Sequence, residues 1–258
     1  MNHKCASFIA LLLVSNSLSA YDLADYPQTF EPDPARFASA IAGFQAADAA
    51  NPPPKGAIVC TGSSSMRMWH PRIKDDLPGL TLLPRGFGGS HYTDLIYYIE
   101  DLVFKYQPRA LLLYEGDNDA NYGKTPERIF QDFKFLAEQC REQLPDLRLY
   151  IIGAKPSIAR WAIAEQMQRS NAMIQDYCRA NLGFTYIDVW PLLLDGNGQV
   201  RPELFMEDKL HLNSAGYDCW TAAIAPVLLK NEAEFELNKR TLDLIECCLL
   251  YTSPSPRD

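Results

Sequence analysis

Short apolar runs alternate with longer amphipathic stretches along most of the chain. The amphipathic stretches predict helices over residues 33–50, 94–106, 126–143, 157–181 and 214–230, and the helix over 157–181 is long enough to contain a break. The apolar runs do not alternate cleanly with polar residues, which is typical of strands buried on both faces of a parallel sheet. They predict five strands, over residues 57–61, 80–83, 110–114, 147–153 and 184–189.

Alternation of strands with helices predicts an α/β fold in which right-handed crossovers place helices on both faces of the sheet. We therefore expect a three-layer α/β/α sandwich with a five-stranded parallel sheet. Sheets of this kind bind ligands at the carboxyl ends of their strands. The residues that follow each strand are consequently the first candidates for a functional site.

The two ends of the chain differ from its body. Residues 1–19 combine a short basic start, an apolar run and small residues near Ser19, which is the pattern of a secretory signal peptide. The apolar run is too short to span a bilayer, so we expect a secreted or periplasmic protein without a stable membrane span. Residues 246–258 resemble translated sequencing-adaptor read-through, and we expect residues 241–258 to be a non-native or disordered tail.

Composition is compatible with one ordinary domain. The 258 residues are 47% hydrophobic, and they divide into an N-terminal extension with a helix over 20–54 and a main domain over 55–230. The net charge of -8, without a cluster of Lys and Arg, argues against a nucleic-acid partner. Four cysteines of the body allow three pairings or four free thiols, and no Cys/His spacing suggests zinc: Cys60, Cys140, Cys178 and Cys219.

Four polar blocks lie at strand ends or before the last helix. They are GSSSMRMW at 62–69, RGFGGS at 85–90, EGDND at 115–119 and DKLHLN at 208–213. Ester hydrolysis by a serine needs a hydroxyl, a base, a group that orients the base, and donors for the developing oxyanion. The four blocks contain candidates for all of these.

The acid and base candidates lie three residues apart. Of the four histidines, only His211 has a carboxylate three residues earlier, Asp208, which could accept a hydrogen bond from Nδ1 and leave Nε2 to take a proton. Taken alone, this block is more typical of a loop before a helix, with an Asp cap and a surface histidine. The serine candidates follow Gly62, which permits a sharp turn, although Ser63, Ser64 and Ser65 could also simply cap a helix.

In order and position, the four blocks resemble those of the SGNH (GDSL-type) hydrolase superfamily, which comprises esterases and lipases of flavodoxin-like fold. The resemblance covers residues 55–228 and implies that Ser64, in the third position of the Gly-Asp-Ser pattern, is the nucleophile. His211 and Asp208 would complete the catalytic triad. Ser63 stands where the pattern has Asp, which puts the stability of the local turn in doubt more than catalysis.

The resemblance also implies an oxyanion hole. Its donors would be the backbone N–H groups of Ser64 and Gly89 and the side-chain amide of Asn118. We expect Arg85 to organise its loop, and Arg160 and Trp161 to pack at the rim, although a place in the acyl or leaving-group pocket stays open for these two.

Other chemistries fit less well. The α/β-hydrolase elbow G-x-S-x-G is not matched, because Met66 stands at the second glycine position. The residues from Asp117 onward open like a calcium loop, but Tyr122 and Arg128 occupy positions six and twelve, where Gly and Glu are required. We expect Asp119 to hydrogen-bond neighbouring loops instead, and we expect no metal and no cofactor.

The sequence therefore predicts a secreted serine esterase that acts on short-chain lipid or sugar esters through an acyl-enzyme on Ser64. The alternative is a catalytically silent protein of the same fold that binds acylated or glycan ligands. Ser63 in place of Asp is the one feature that supports this alternative.

Overall fold

The computed structural model describes residues 32–252, and it describes the side chains of residues 32–237. One parallel sheet has the spatial order β2-β1-β3-β4-β5. This order and the helices on both faces confirm the predicted flavodoxin-like three-layer sandwich. The strands are β1 (Ile58–Gly62), β2 (Leu82–Gly86), β3 (Ala110–Tyr114), β4 (Arg148–Ile152) and β5 (Phe184–Ile187).

Long helices and short helical turns connect the strands. Short 3-10 turns lie at Pro34–Phe37, Phe104–Tyr106, Trp161–Ile163, Pro191–Leu193 and Pro202–Leu204. The α-helices of the described chain are α1 (Ala38–Ala50), α2 (Ser64–Trp69), α3 (Ile73–Asp76), α4 (Tyr92–Tyr97), α5 (Ile99–Leu102), α6 (Asp117–Tyr122), α7 (Pro126–Gln143), α8 (Ala164–Ala180) and α9 (Ser214–Thr252).

Apolar side chains fill the space on both faces of the sheet. Successive strand residues point to opposite faces, so β3 contributes Leu111 and Leu113 to one core and Leu112 to the other. The first core includes Phe133 of α7, and the second includes Trp220 of α9. Burial on both sides explains why the strands lack alternation in the sequence.

Two predicted helices have different boundaries in the structure. The predicted helix 94–106 begins earlier, at Tyr92, because His91 and Asp94 form a reciprocal capping box. It is then divided into α4, α5 and a 3-10 turn. The predicted helix 157–181 becomes α8 only at Ala164, after a loop and the turn Trp161–Ile163.

The chain ends also differ from the prediction. The first predicted helix begins as a 3-10 turn, so that α1 starts at Ala38. The last helix, predicted to end at residue 230, continues to Thr252 and therefore includes residues 241–252. The predicted signal peptide at 1–19 and the last six residues lie outside the described residues. Within residues 32–252, no helix is both long enough and apolar enough to cross a bilayer.

Candidate active site

A hydrogen-bonded chain of three side chains lies above the carboxyl ends of the strands. Ser64 Oγ lies 2.8 Å from His211 Nε2, and His211 Nδ1 lies 2.6 Å from Asp208 Oδ2. Ser64 is the first residue of α2, directly after β1, whereas the other two precede α9. Residues 147 positions apart in sequence thus meet in one polar chain.

The loop that carries Asp208 and His211 is held by its own backbone. Asp208 Oδ1 accepts hydrogen bonds from the N–H groups of Leu210 and His211, both at 2.9 Å. Lys209 adopts a left-handed conformation with φ 58°, which allows the tight turn between them. Slight burial acts to raise the pKa of Asp208, but the hydrogen bonds from His211 and Leu210 prevail and lower it to about 2. Asp208 is therefore ionised at neutral pH and able to accept from Nδ1.

The three adjacent serines have different surroundings. Ser63 and Ser65 are buried, at 0% and 1% exposure, and their hydroxyls have no hydrogen-bond partner among the described residues. Ser64 is partly exposed and is the serine that contacts His211. Gly62 lies just before them at φ 128°, where a Cβ atom would overlap the carbonyl of Tyr114. Only glycine fits at this turn, which projects Ser64 from the end of β1.

Two of the three expected oxyanion donors, Gly89 and Asn118, follow β2 and β3. Gly89 is exposed with φ 89°, and a Cβ atom would have open space around it, so backbone conformation favours glycine here. Asn118 Nδ2 donates to the carbonyl of Ser90 at 2.9 Å, which ties the block after β3 to the block after β2. One N–H of the amide remains for a ligand, because an amide nitrogen carries two hydrogens.

Two cations beside the site were not predicted as site residues. Arg160 Nη2 donates to Asn118 Oδ1 at 2.8 Å, so Arg160 does more than pack at the rim. Lys155, with 1% exposure, donates from Nζ to the carbonyl of Leu210 at 2.9 Å. Burial lowers the pKa of Lys155 to about 8, although nearby Asp117 opposes this. A lysine directly after a buried strand was the available sequence signal for this residue.

Trp161, by contrast, lies at the surface. Its side chain is 39% exposed, and its ring centroid lies 6.5 Å from that of Trp190.

Other polar residues of the blocks have structural contacts. Arg85 donates to the hydroxyl of Tyr106 at 2.7 Å and pairs with Asp48, so it connects the end of β2 to α1 and to the turn Phe104–Tyr106. Asp119 accepts from the backbone N–H of Tyr92 and from Lys124 Nζ, in line with the expected contacts to neighbouring loops.

His70 is also engaged away from the catalytic chain. Its Nε2 accepts from the N–H of Gly86 at 2.9 Å. Burial, reinforced by Arg85 and Arg67, lowers its pKa to about 4, so it is neutral at neutral pH. Among the described side chains, those of residues 32–237, no three Asp, Glu, His or Cys groups are clustered as a metal site would need.

A flavodoxin-like fold with linked Ser, His and Asp side chains at the carboxyl ends of its strands is typical of α/β hydrolytic enzymes. The protein belongs to the GDSL-like lipase/acylhydrolase family, whose model matches residues 39–219. It is thus an ester-hydrolysing enzyme of the SGNH superfamily, as the four blocks predicted. A search of curated proteins gives no match.

Solved structures share the fold at low sequence identity. A GDSL-like lipase from Bacteroides thetaiotaomicron is 18% identical with a TM-score of 0.65, over 74% of this chain and 98% of that one. A carbohydrate esterase of family 3 from Talaromyces cellulolyticus is 15% identical with a TM-score of 0.52, over 69% and 97%. The C-terminal domain of the Drosophila Oskar protein is 16% identical with a TM-score of 0.54, over 66% and 86%.

Proposed function

We propose that this enzyme hydrolyses short-chain carboxylic esters of lipids or sugars by a two-step mechanism in which Ser64 is transiently acylated. The observation that carries the proposal is the chain from Ser64 Oγ through His211 to Asp208, with links of 2.8 and 2.6 Å. Both distances lie within the range for hydrogen bonds between a nucleophile, its base and the group that orients the base.

Each proton in the proposed mechanism has a defined donor and acceptor. Ser64 Oγ attacks the ester carbonyl carbon while its proton moves to His211 Nε2, and Asp208 stabilises the imidazolium through Nδ1–H. The same proton then passes to the departing alkoxide oxygen, which leaves as an alcohol. Water attacks the acyl-enzyme, gives one proton to His211, and releases the carboxylic acid as Ser64 regains its hydrogen.

The negative oxygen of each tetrahedral intermediate needs hydrogen-bond donors. We assign this role to the backbone N–H groups of Ser64 and Gly89 and to the amide of Asn118. Each such donor typically contributes about 10² to 10³ in turnover. Short acyl chains are favoured because the segments after the five strands, within residues 32–237, include no long apolar insertion that could cover an extended chain.

The proposed place of action is outside the cytoplasm, in the periplasm or the medium. This part of the proposal rests on the composition of residues 1–19, which form a basic start followed by an apolar run and small residues.

The test uses protein that begins at residue 20 and a series of p-nitrophenyl esters from acetate to palmitate. We expect the highest kcat/KM with the short esters and a loss of at least about 10³-fold in kcat for Ser64→Ala. Ser65→Ala is the matched control, since this neighbouring serine is buried and its hydroxyl makes no hydrogen bond to His211. Equal rates for wild type and Ser64→Ala would refute the nucleophile assignment.

A further inference from the structure

The loop between β4 and the turn Trp161–Ile163 touches both halves of the active site. Lys155 Nζ donates to the carbonyl of Leu210 at 2.9 Å, and the N–H of Ala159 donates to the carbonyl of Lys209 at 3.1 Å. Both carbonyls belong to the turn between Asp208 and His211. This turn is therefore held from outside by the loop, in addition to its own hydrogen bonds.

The far end of the same loop holds the other half of the site. Arg160 Nη2 donates to Asn118 Oδ1 at 2.8 Å, and Arg160 Nη1 lies 3.0 Å from Asp117 Oδ2. Asn118 Nδ2 donates in turn to the carbonyl of Ser90 at 2.9 Å. The guanidinium has no acceptor, so a flipped amide would place two donors against each other and lose both hydrogen bonds. Arg160 thereby selects the amide orientation in which Nδ2 is directed to Ser90 and one N–H is left over.

The charges in this arrangement are costly to bury. Lys155 is 1% exposed, the Arg160 side chain is 12% exposed, and both face the single buried carboxylate of Asp117. Buried ion pairs of this kind contribute little net stability, because desolvation offsets much of the attraction. A buried lysine and a largely buried arginine around one carboxylate are thus poorly explained by stability and better explained by the geometry that they impose.

We propose that residues 155–160 form a positioning strap, in which Arg160 orients the amide of Asn118 toward the oxyanion while Lys155 and Ala159 fix the turn that carries Asp208 and His211. Arg160 is a positioning residue, since it acts through Asn118. The inference deepens the proposed serine mechanism and rests on it.

The test is a double-mutant cycle between Arg160 and Asn118, with short p-nitrophenyl esters as substrate. Arg160→Met should lower kcat about 10- to 100-fold and change KM less than about two-fold, because the amide of Asn118 contributes to the oxyanion in the transition state rather than to substrate binding. In the Asn118→Ala background, the same substitution should change kcat less than about two-fold, because there is no amide left to orient. Arg160→Lys keeps the charge without the planar fork and should recover only part of kcat.

Arg169→Met is the matched control. This arginine lies in α8, pairs with exposed Glu127, and is itself 68% exposed in its side chain, so kcat should not change. If Arg160→Met does not fold, as judged by thermal melting, Arg160→Lys takes its place in the cycle.

Two outcomes would overturn the strap: an unchanged kcat for Arg160→Met, or an equal loss in the wild-type and Asn118→Ala backgrounds. Failure of the serine mechanism looks different, since Ser64→Ala would then be as active as wild type. The side-chain amide signals of Asn118 in NMR spectra test the strap even in that event. Their hydrogen exchange should accelerate at least about 10-fold in Arg160→Met, and unchanged exchange would overturn the strap.

Discussion

Lys155 carries a positive charge in a place that solvent does not reach. Its exposure is 1%, and its contacts are the carbonyl of Leu210 at 2.9 Å and Asp117 Oδ2 at 3.8 Å. Other charged or titratable groups that face it are Arg160, Asp208 and Tyr114. Because burial dominates over the nearby carboxylates, the pKa of Lys155 falls to about 8 from 10.5.

This lowered pKa predicts a pH-dependent stability. Below about pH 8 the lysine is charged in both the folded and the unfolded state, so folding bears the full cost of burying the charge. Between about pH 8 and 10.5 the unfolded chain holds more protons, so the contribution of Lys155 to the free energy of unfolding rises with pH. We expect the free energy of unfolding of wild type, measured in urea, to rise by about 3 kcal/mol relative to that of Lys155→Met between pH 7 and pH 10.5.

Lys134→Met provides the control for this comparison, because the Lys134 side chain is 48% exposed on α7. The difference in free energy of unfolding between Lys134→Met and wild type should stay constant over the same pH range. A constant difference for Lys155→Met as well would mean that Lys155 is not buried in its charged form, contrary to its contacts.

At the scale of helices and strands, local signals predicted some boundaries and tertiary contacts decided others. The bounds of β3 and α7 agree with the prediction, since α7 begins at Pro126 after the capping residue Thr125. Residues 157–160, predicted as helix, form a loop whose Ala159 bonds to Lys209, a residue 50 positions away. No local pattern encodes such a partner.

The length of α9 has a similar cause. Glu232 is fully buried and accepts hydrogen bonds from Arg109, Arg148 and the hydroxyl of Tyr150, at 2.6 to 3.0 Å. These partners lie at the amino ends of β3 and β4 or within β4. The expected domain end at residue 230 falls short of this contact, so the final helix is attached to the sheet beyond it.

Removal of the Glu232 carboxylate should therefore be strongly destabilising. Glu232→Ala leaves Arg109 and Arg148 partly buried without their shared partner, and we expect the free energy of unfolding to fall by about 3 kcal/mol. Urea unfolding followed by circular dichroism measures the difference. Glu234→Ala, an exposed position on the same helix, should change it by less than about 0.5 kcal/mol. Similar losses for the two variants would show that the buried ion pairs of Glu232 do not account for the effect.

Over the whole molecule, the order of the polar blocks along the chain predicted which site residues are neighbours better than the spacing of residues within each block did. A parallel sheet brings the ends of β1, β2 and β3 to one edge, so residues near positions 64, 89 and 118 were expected to be neighbours. The loop after β4 reaches the same edge, but its Arg160 contacts Asn118 from 42 positions away. That contact depends on residues 157–160 forming a loop instead of the predicted helix, and the sequence pattern does not indicate this loop.

The whole-molecule fold also decides the state of the cysteines. Cys60, Cys140, Cys178 and Cys219 are free thiols, of which the first three are buried and Cys219 is partly exposed. Burial raises the pKa of Cys140 and Cys178 to about 12 and raises that of Cys60 further. Since the thiolate is the reactive form, the buried thiols should react slowly, because reagents do not reach them and because they stay protonated.

Titration with Ellman's reagent, on a chain of residues 20–240 prepared without reductant, should therefore give two different counts. In native buffer we expect one rapidly reacting thiol at most, that of Cys219, and in urea we expect all four. Cys219→Ser is the matched variant and should abolish the fast native reaction while leaving three thiols in urea. A count of two in urea would instead indicate a disulfide within the body, in conflict with the four free thiols of the structure. Four thiols in urea would show that no disulfide joins these cysteines, so that the fold relies on the buried cores on both sides of the sheet.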